Sequence, residues 1–186
     1  MNNDSTRAVA AIPGYLAGTW KADPAHSEIA FSVRQLLITT VSGRFTRHDV
    51  TVVTGEDPLA SSVTATIDLA SLDTGNDRRD EHVRSNTFLD VAEHPTASYR
   101  STGIRHTGDG WIIDGDLTVH GVTRNAPLAV TATRFGPDPN GDQRAGLTAT
   151  TQISRGEFGI DRWTGGGAVV SDKIAISLEI EAVLQP

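Results

Sequence analysis

From Gly18 onward the chain alternates apolar and polar residues with a period of two, the pattern of strands that have one dry face and one wet face. Four stretches carry it clearly. In 26–33, Ile29, Phe31 and Val33 fall opposite Glu28, Ala30 and Ser32. In 62–69, Val63, Ala65, Ile67 and Leu69 fall opposite Ser62, Thr64, Thr66 and Asp68. In 111–119, Trp111, Ile113, Gly115, Leu117 and Val119 alternate with polar partners, and in 173–184 Ile174, Ile176, Leu178 and Ile180 do the same. Weaker alternation runs through 40–54, 96–106, 124–135 and 143–154, giving about eight or nine strands.

Turn residues separate these stretches: Gly55 to Pro58, Gly108 to Gly110, and Pro137 to Asp142, where Asn140-Gly141 is the strongest hairpin signal. Most spacings are too short for crossover helices, so the sheet is predicted to be antiparallel. Residues 73–95 break the rhythm with clustered charge. Thr74 or Asn76 is placed to cap a short helix reaching about Ser85, and Pro95 ends the insert. The expectation is an all-β fold with one helical insert.

Such a sheet buries its dry face by closing into a barrel or folding into a sandwich. A barrel of about eight strands is either filled by side chains or holds one small ligand. Small residues on the dry faces (Ala65, Gly115, Ala132, Ala145, Ala149) leave volume and favour a cavity.

The length of 186 residues suits one domain. Residues 1–17 read as a loose N-terminal tail and 18–186 as the barrel domain. Lys+Arg 16 against Asp+Glu 23 gives a net charge of −7, which offers no broad grip to nucleic acid, and aromatics at 5% leave few stacking platforms for single strands. With zero cysteines there is no disulfide, thiol nucleophile or cysteine-ligated metal. The apolar stretch Ala8–Ile12 is too short for a signal-peptide core, and no run approaches a membrane span, so a cytoplasmic location without an integral membrane segment is expected.

Candidate chemistry is sparse. The six histidines, His26, His48, His82, His94, His106 and His120, show no HxH, HExxH or 2-His-1-carboxylate spacing, so no metal site is expected. Asp23, His26 and Ser27 suggest a nucleophile system, but neighbouring residues of an extended segment point to opposite faces. Asp138 to Asp142 imitates a calcium loop whose glycine is misplaced and whose twelfth position is Ala149. Gly165-Gly166-Gly167 after Trp163 matches no phosphate-binding motif and reads as a loop near a barrel rim. The run Asp77 to His82 reads either as a solvated helix face or as a polar lid over a cavity entrance, with Phe88 and Leu89 lining the space beyond.

Taken together, several segments resemble the polyisoprenoid-binding YceI-like family. They are Gly18 to Phe31 with its Asp-x-x-His-Ser turn, Val41-Ser-Gly-Arg-Phe45, Ser71 to Val83, Phe88-Leu-Asp90 with His94-Pro95 and Tyr99-Arg-Ser101, Gly115 to Thr123, and Ser154 to Gly159. Their order over 18–184, rather than any one motif, carries the resemblance. Tyr99 stands where the family usually has phenylalanine, and Asn86-Thr87 replaces a more acidic approach to Phe88. The resemblance implies a lipocalin-like antiparallel barrel whose apolar lumen holds a long isoprenoid, such as a quinone tail or a polyprenyl lipid, without any cofactor.

The resulting expectation is a non-enzymatic protein that stores, shields or transports such an amphiphile. Lining is assigned to Trp20, Ile29, Phe31, Val33, Phe45, Val63, Ile67 and Leu69 in the N-terminal half, and to Ile113, Leu117, Leu147, Ile174, Ile176 and Leu178 in the C-terminal half. Arg79, Asp80, His82, Phe88 and Tyr99 are assigned to the mouth. The rival readings are a scavenger of foreign hydrophobic compounds and an enzyme acting on a hydrophobic substrate. The latter would need a buried titratable group facing inward. Self-association into a homodimer is left open.

Overall fold

A computed structural model describes residues 12–36, 38–108, 110–160 and 170–186. Strands β1(Gly18–Ala22), β2(Glu28–Gln35), β3(Thr39–Phe45), β4(His48–Thr54), β5(Ser62–Asp68) and β6(Leu72–Asp73) precede the single α-helix among them, α1(Asp77–Arg84). Strands β7(Thr96–Thr107), β8(Gly110–Val119), β9(Val122–Asn125), β10(Leu128–Pro137), β11(Gln143–Ser154) and β12(Val170–Leu184) come after it. Every pairing is antiparallel. The ladder runs β1–β4–β5–β7–β8–β10–β11–β12 and returns to β1, closing an eight-stranded barrel. The alternation and the helical insert thus give the architecture expected of them.

The excess of strand segments over staves comes from bends. Along one edge of β12, residues 170–179 pair with β2 and 182–184 pair with β1, so β1 and β2 are two halves of one bent stave. β3 and β4 form a second, β5 with β6 a third, and β9 with β10, which pair with successive stretches of β8, a fourth. A bend interrupts the ladder, and side chains supply the missing partners. At the first bend Asp23 N–H donates to Glu181 O (2.7 Å), while Ser27 Oγ donates to that carbonyl and accepts from Glu181 N–H. At the second, Ser71 Oγ accepts from Arg47 N–H (3.0 Å).

Helix α1 starts where Asn76 Oδ1 accepts the Arg79 N–H (3.0 Å), and it carries Asp77 and Asp80 in its first turn, where carboxylates suit the helix dipole. The β10–β11 hairpin has a five-residue loop, 138–142. Asp138 Oδ1 accepts from Asn140 and Asp142 N–H groups, and Gly141 takes the left-handed φ of +91°. The Trp163 and Gly165–Gly167 loop lies outside the described residues, as does most of 1–17. No helix among the described residues is long and apolar enough to cross a membrane.

Candidate functional site

The lumen is divided into two apolar compartments. The upper cavity, at the α1 end, has a volume of about 250 Å³; the lower has about 100 Å³. Val63, Leu147 and Ile180 border both and form the partition.

The upper cavity collects most of the residues assigned from the alternation: Ile29, Phe31, Val33, Phe45, Val63, Ile67, Leu69, Leu117, Leu147, Ile174, Ile176 and Leu178. Val50, Leu72, Ala97, Leu128 and Ile180 are among the wall residues beyond that set. Ile180 lies on the same dry face as Ile174 to Leu178, so the period could have found it; Leu72 sits in a two-residue strand that shows no period. Trp20 and Ile113 line the lower cavity instead.

The motif Val41-Ser-Gly-Arg-Phe45 acquires a physical reason here. Gly43 pairs with Phe31 across the β2–β3 ladder, and a Cβ at Gly43 would stand 2.5 Å from Phe31 Cζ. The glycine gives its space to the aromatic ring, which leans toward Phe45 with ring centroids 5.6 Å apart. Gly115 does the same for Tyr99, since a Cβ there would overlap the phenol. The volume expected at Gly115 is therefore occupied by a tyrosine. Ala65 does border the upper cavity and Ala145 the lower, as small residues that leave room. Tyr99 borders the cavity and donates its hydroxyl to the Ile113 and Ala126 carbonyls (3.1 and 3.2 Å), and burial pushes its pKa up, helped by the nearby Asp114 and Asp116 charges.

The lower compartment is closed by aromatics. Trp20 is fully buried and its Nε1–H donates to Thr54 Oγ1 (2.8 Å). Phe135 meets the Trp20 and Tyr15 rings edge-on at 5.5 and 5.2 Å, and the Tyr15 hydroxyl donates to Gly55 O (2.8 Å).

At the upper end Thr74, Arg79, Phe88, Leu89 and Arg155 reach the cavity. Arg79 donates through Nε to Thr74 Oγ1 (2.8 Å) and through Nη2 to Thr74 O (2.9 Å). Asp80, assigned to the mouth from sequence, is buried and does not border the cavity. Its carboxylate accepts from the Thr74 N–H and, at 2.5 Å, from the Thr74 hydroxyl, so it fastens α1 to the strand end. Arg84 adds a bond to Leu72 O. His82 borders a shallow outer depression with Gln35, Asn76 and Arg78, its ring edge-on to Phe88 at 5.3 Å. Arg155 directs its guanidinium donors to the Ser171, Ile160 and Val170 carbonyls.

Among the described residues the cavity wall therefore contains no carboxylate or imidazole. Ser27 is bonded to the Glu181 backbone and His26 to Asp23 (2.9 Å), so they make no nucleophile pair. The carboxylate of Asp23 is held down to about 2 by the bonds from His26 and then Arg144. Two side-chain groups have the composition of metal ligands: Asp23, His26 and Glu181, and Asp90, His94 and His120. The first already holds a cation, because Arg144 Nη1 lies 3.0 Å from Asp23 Oδ2 and 2.8 Å from Glu181 Oε1.

Comparison with known proteins agrees with this architecture. The model of the YceI-like domain matches residues 20–182. A UPF0312 protein of Pseudomonas aeruginosa is 33% identical over 173 residues, covering 91% of this chain and 89% of its own, and one of Vibrio cholerae is 38% identical over 143 residues, 73% of each. Among solved structures, BcnA of Burkholderia cenocepacia superposes with a TM-score of 0.73 at 21% identity, covering 86% of this chain and 98% of that one. A polyisoprenoid binding domain from Saccharophagus degradans gives 0.67 at 17% identity, covering 91% and 100%. On the span of the match, the curated relatives and the shared barrel, the chain belongs to the YceI-like family.

Proposed function

We propose that the protein binds one long isoprenoid-type amphiphile, of the quinone or polyprenyl class, with its tail in the upper cavity and its head group toward Arg79. The observation that carries this reading is the wall itself: a cavity whose described lining is almost wholly aliphatic and aromatic, with its polar side chains (Thr74, Arg79, Arg155) gathered at one end apart from Thr151. A dry surface of this kind recovers roughly 25 cal/mol for each Å² of apolar ligand surface withdrawn from water. The Saccharophagus degradans neighbour, described as a polyisoprenoid binding domain, supports the ligand class. Val63, Leu147 and Ile180 border both compartments, and a longer tail would extend into the lower one by displacing their side chains. Such a site suits storage, shielding or transport of the amphiphile, and among the described residues the wall offers no acid–base pair for turnover.

The test is native purification, then organic extraction and mass spectrometry. A stoichiometric isoprenoid is expected, and equal displacement of a bound dye by isoprenoids and by unrelated amphiphiles would replace this reading with that of a scavenger. Ala65→Trp fills the upper cavity without disturbing the ladder. It is expected to lower isoprenoid affinity at least tenfold at a stability cost of about 1–3 kcal/mol. Unaltered affinity would remove the tail from this compartment.

A further inference from the structure

Asp90, His94 and His120 are brought together at the upper rim, where one donor atom of each lies within 4.8 Å of those of the other two. They come from different parts of the chain. Asp90 and His94 stand on the segment between α1 and β7, one turn apart, with His94 N–H donating to Asp90 O (2.8 Å). His120 occupies the tight turn between β8 and β9.

The surroundings favour coordination. His120 Nδ1 lies 3.2 Å from the Phe158 carbonyl, which can only accept, so Nδ1 carries the proton and Nε2 keeps its lone pair. A backbone carbonyl fixing the tautomer through the far nitrogen is the usual outer-shell support of a metal-bound imidazole. The His94 and His120 rings meet at 4.9 Å, at an angle of 61°. Gly121, at φ +72°, keeps that space open, since a Cβ there would lie 3.0 Å from His94 Cε1. Asp90 and His120 are two of the three non-glycine residues with positive φ among those described, so both donors are presented from backbone that tertiary contacts hold in a sparsely populated region. All three residues are half-buried.

We propose that Asp90, His94 and His120 form a site for a divalent transition metal of the zinc class, with solvent completing the coordination. Two imidazoles and a carboxylate are the donor set such ions take, and they leave a fourth position open. Nitrogens bound at about 2.0–2.1 Å in tetrahedral geometry sit roughly 3.3 Å apart, so the donors close by side-chain rotation of about 1.5 Å or less. The ion would tie the 85–95 segment, which carries Phe88 and Leu89 to the cavity, to the β8–β9 turn and to the short helical turn ending at Phe158. It would therefore hold one wall of the entrance shut. The site does not depend on what the lumen binds.

The experiment uses the full-length, tag-free chain stripped with a chelator and titrated with Zn2+ in competition with a chromophoric chelator. One equivalent is expected to bind, with affinity reduced at least tenfold in His94→Ala and in His120→Asn, and unchanged in His26→Ala, which alters the other ligand-like group. Absence of saturable binding in the natural chain, retention of full affinity in His94→Ala, or loss of binding in His26→Ala would each overturn the proposal. If His120→Asn does not fold, imidazole nitrogen NMR of the natural chain decides. Zinc-induced shifts at His94 and His120 support the site, and shifts confined to other histidines refute it.

Discussion

The two compartments of the barrel are built from the same ladder yet hold opposite contents. Below the partition, Trp20, Phe135 and Tyr15 interlock edge to face and consume most of the space. Above it, aliphatic side chains stand back from one another, and the aromatic rings of Phe31 and Tyr99 lie over glycines against the wall. Closure of a barrel thus decides neither a solid core nor a cavity; the placing of a few rings does. The lower half supplies cohesion, and the upper half gives up cohesion for volume, a division consistent with the small net stability of any folded chain.

Three substitutions test that division. Trp20→Ala should cost the most, about 3–5 kcal/mol in chemical denaturation, because it removes the largest fully buried side chain among the described residues and the donor to Thr54. A loss below about 1 kcal/mol would mean that the lower compartment is not the cohesive half. Asp80→Ala should cost about 1–3 kcal/mol by leaving the Thr74 groups without their acceptor. Amide exchange should speed up in α1 far more than in β11 and β12, and a uniform increase would deny the upper rim its local character. The smallest effect belongs to Arg144→Gln, on the outer wall of the lower half. The folded Asp23 carboxyl sits at about 2, below its ordinary 3.8, so its contribution is present above pH 4 and is lost as pH falls toward 2. Removing Arg144, the second of the two causes, should flatten that acid limb only in part, and an identical limb in the variant would leave it to the His26 bond or to other carboxylates.

Much of this architecture is legible in the sequence. A period of two names the faces of β2, β5, β8 and β12, and hence most of the cavity wall. It does not give height along the barrel, which depends on ladder stagger. Alternation alone therefore places Trp20 and Ile113 in one lumen with the rest, whereas they belong to its lower compartment. Bends are equally silent, because alternation continues across them: residues 40–54 read as one stretch although β3 and β4 face different partners. Charge runs carry no depth either. Asp80 and its neighbour Glu81 look alike in sequence, yet Asp80 is buried against Thr74 and Glu81 is exposed. The meeting of His94 with His120 is a product of long-range pairing and leaves no local spacing to find.

Strand β6 pairs with β3 on one edge, and on the other, among the described residues, no strand joins it. Helix α1 covers that edge and is fastened by Thr74, Asp80, Arg79 and Arg84. The staves of the ladder are joined by zippers of backbone bonds, whereas this edge, like the outer edge of β9 among the described residues, has no strand beside it, and a latch of side chains takes its place. Parting it leaves each zipper done up. For the amphiphile proposed above, entry past this edge would be timed by the release of a few side chains rather than by the fraying of a strand.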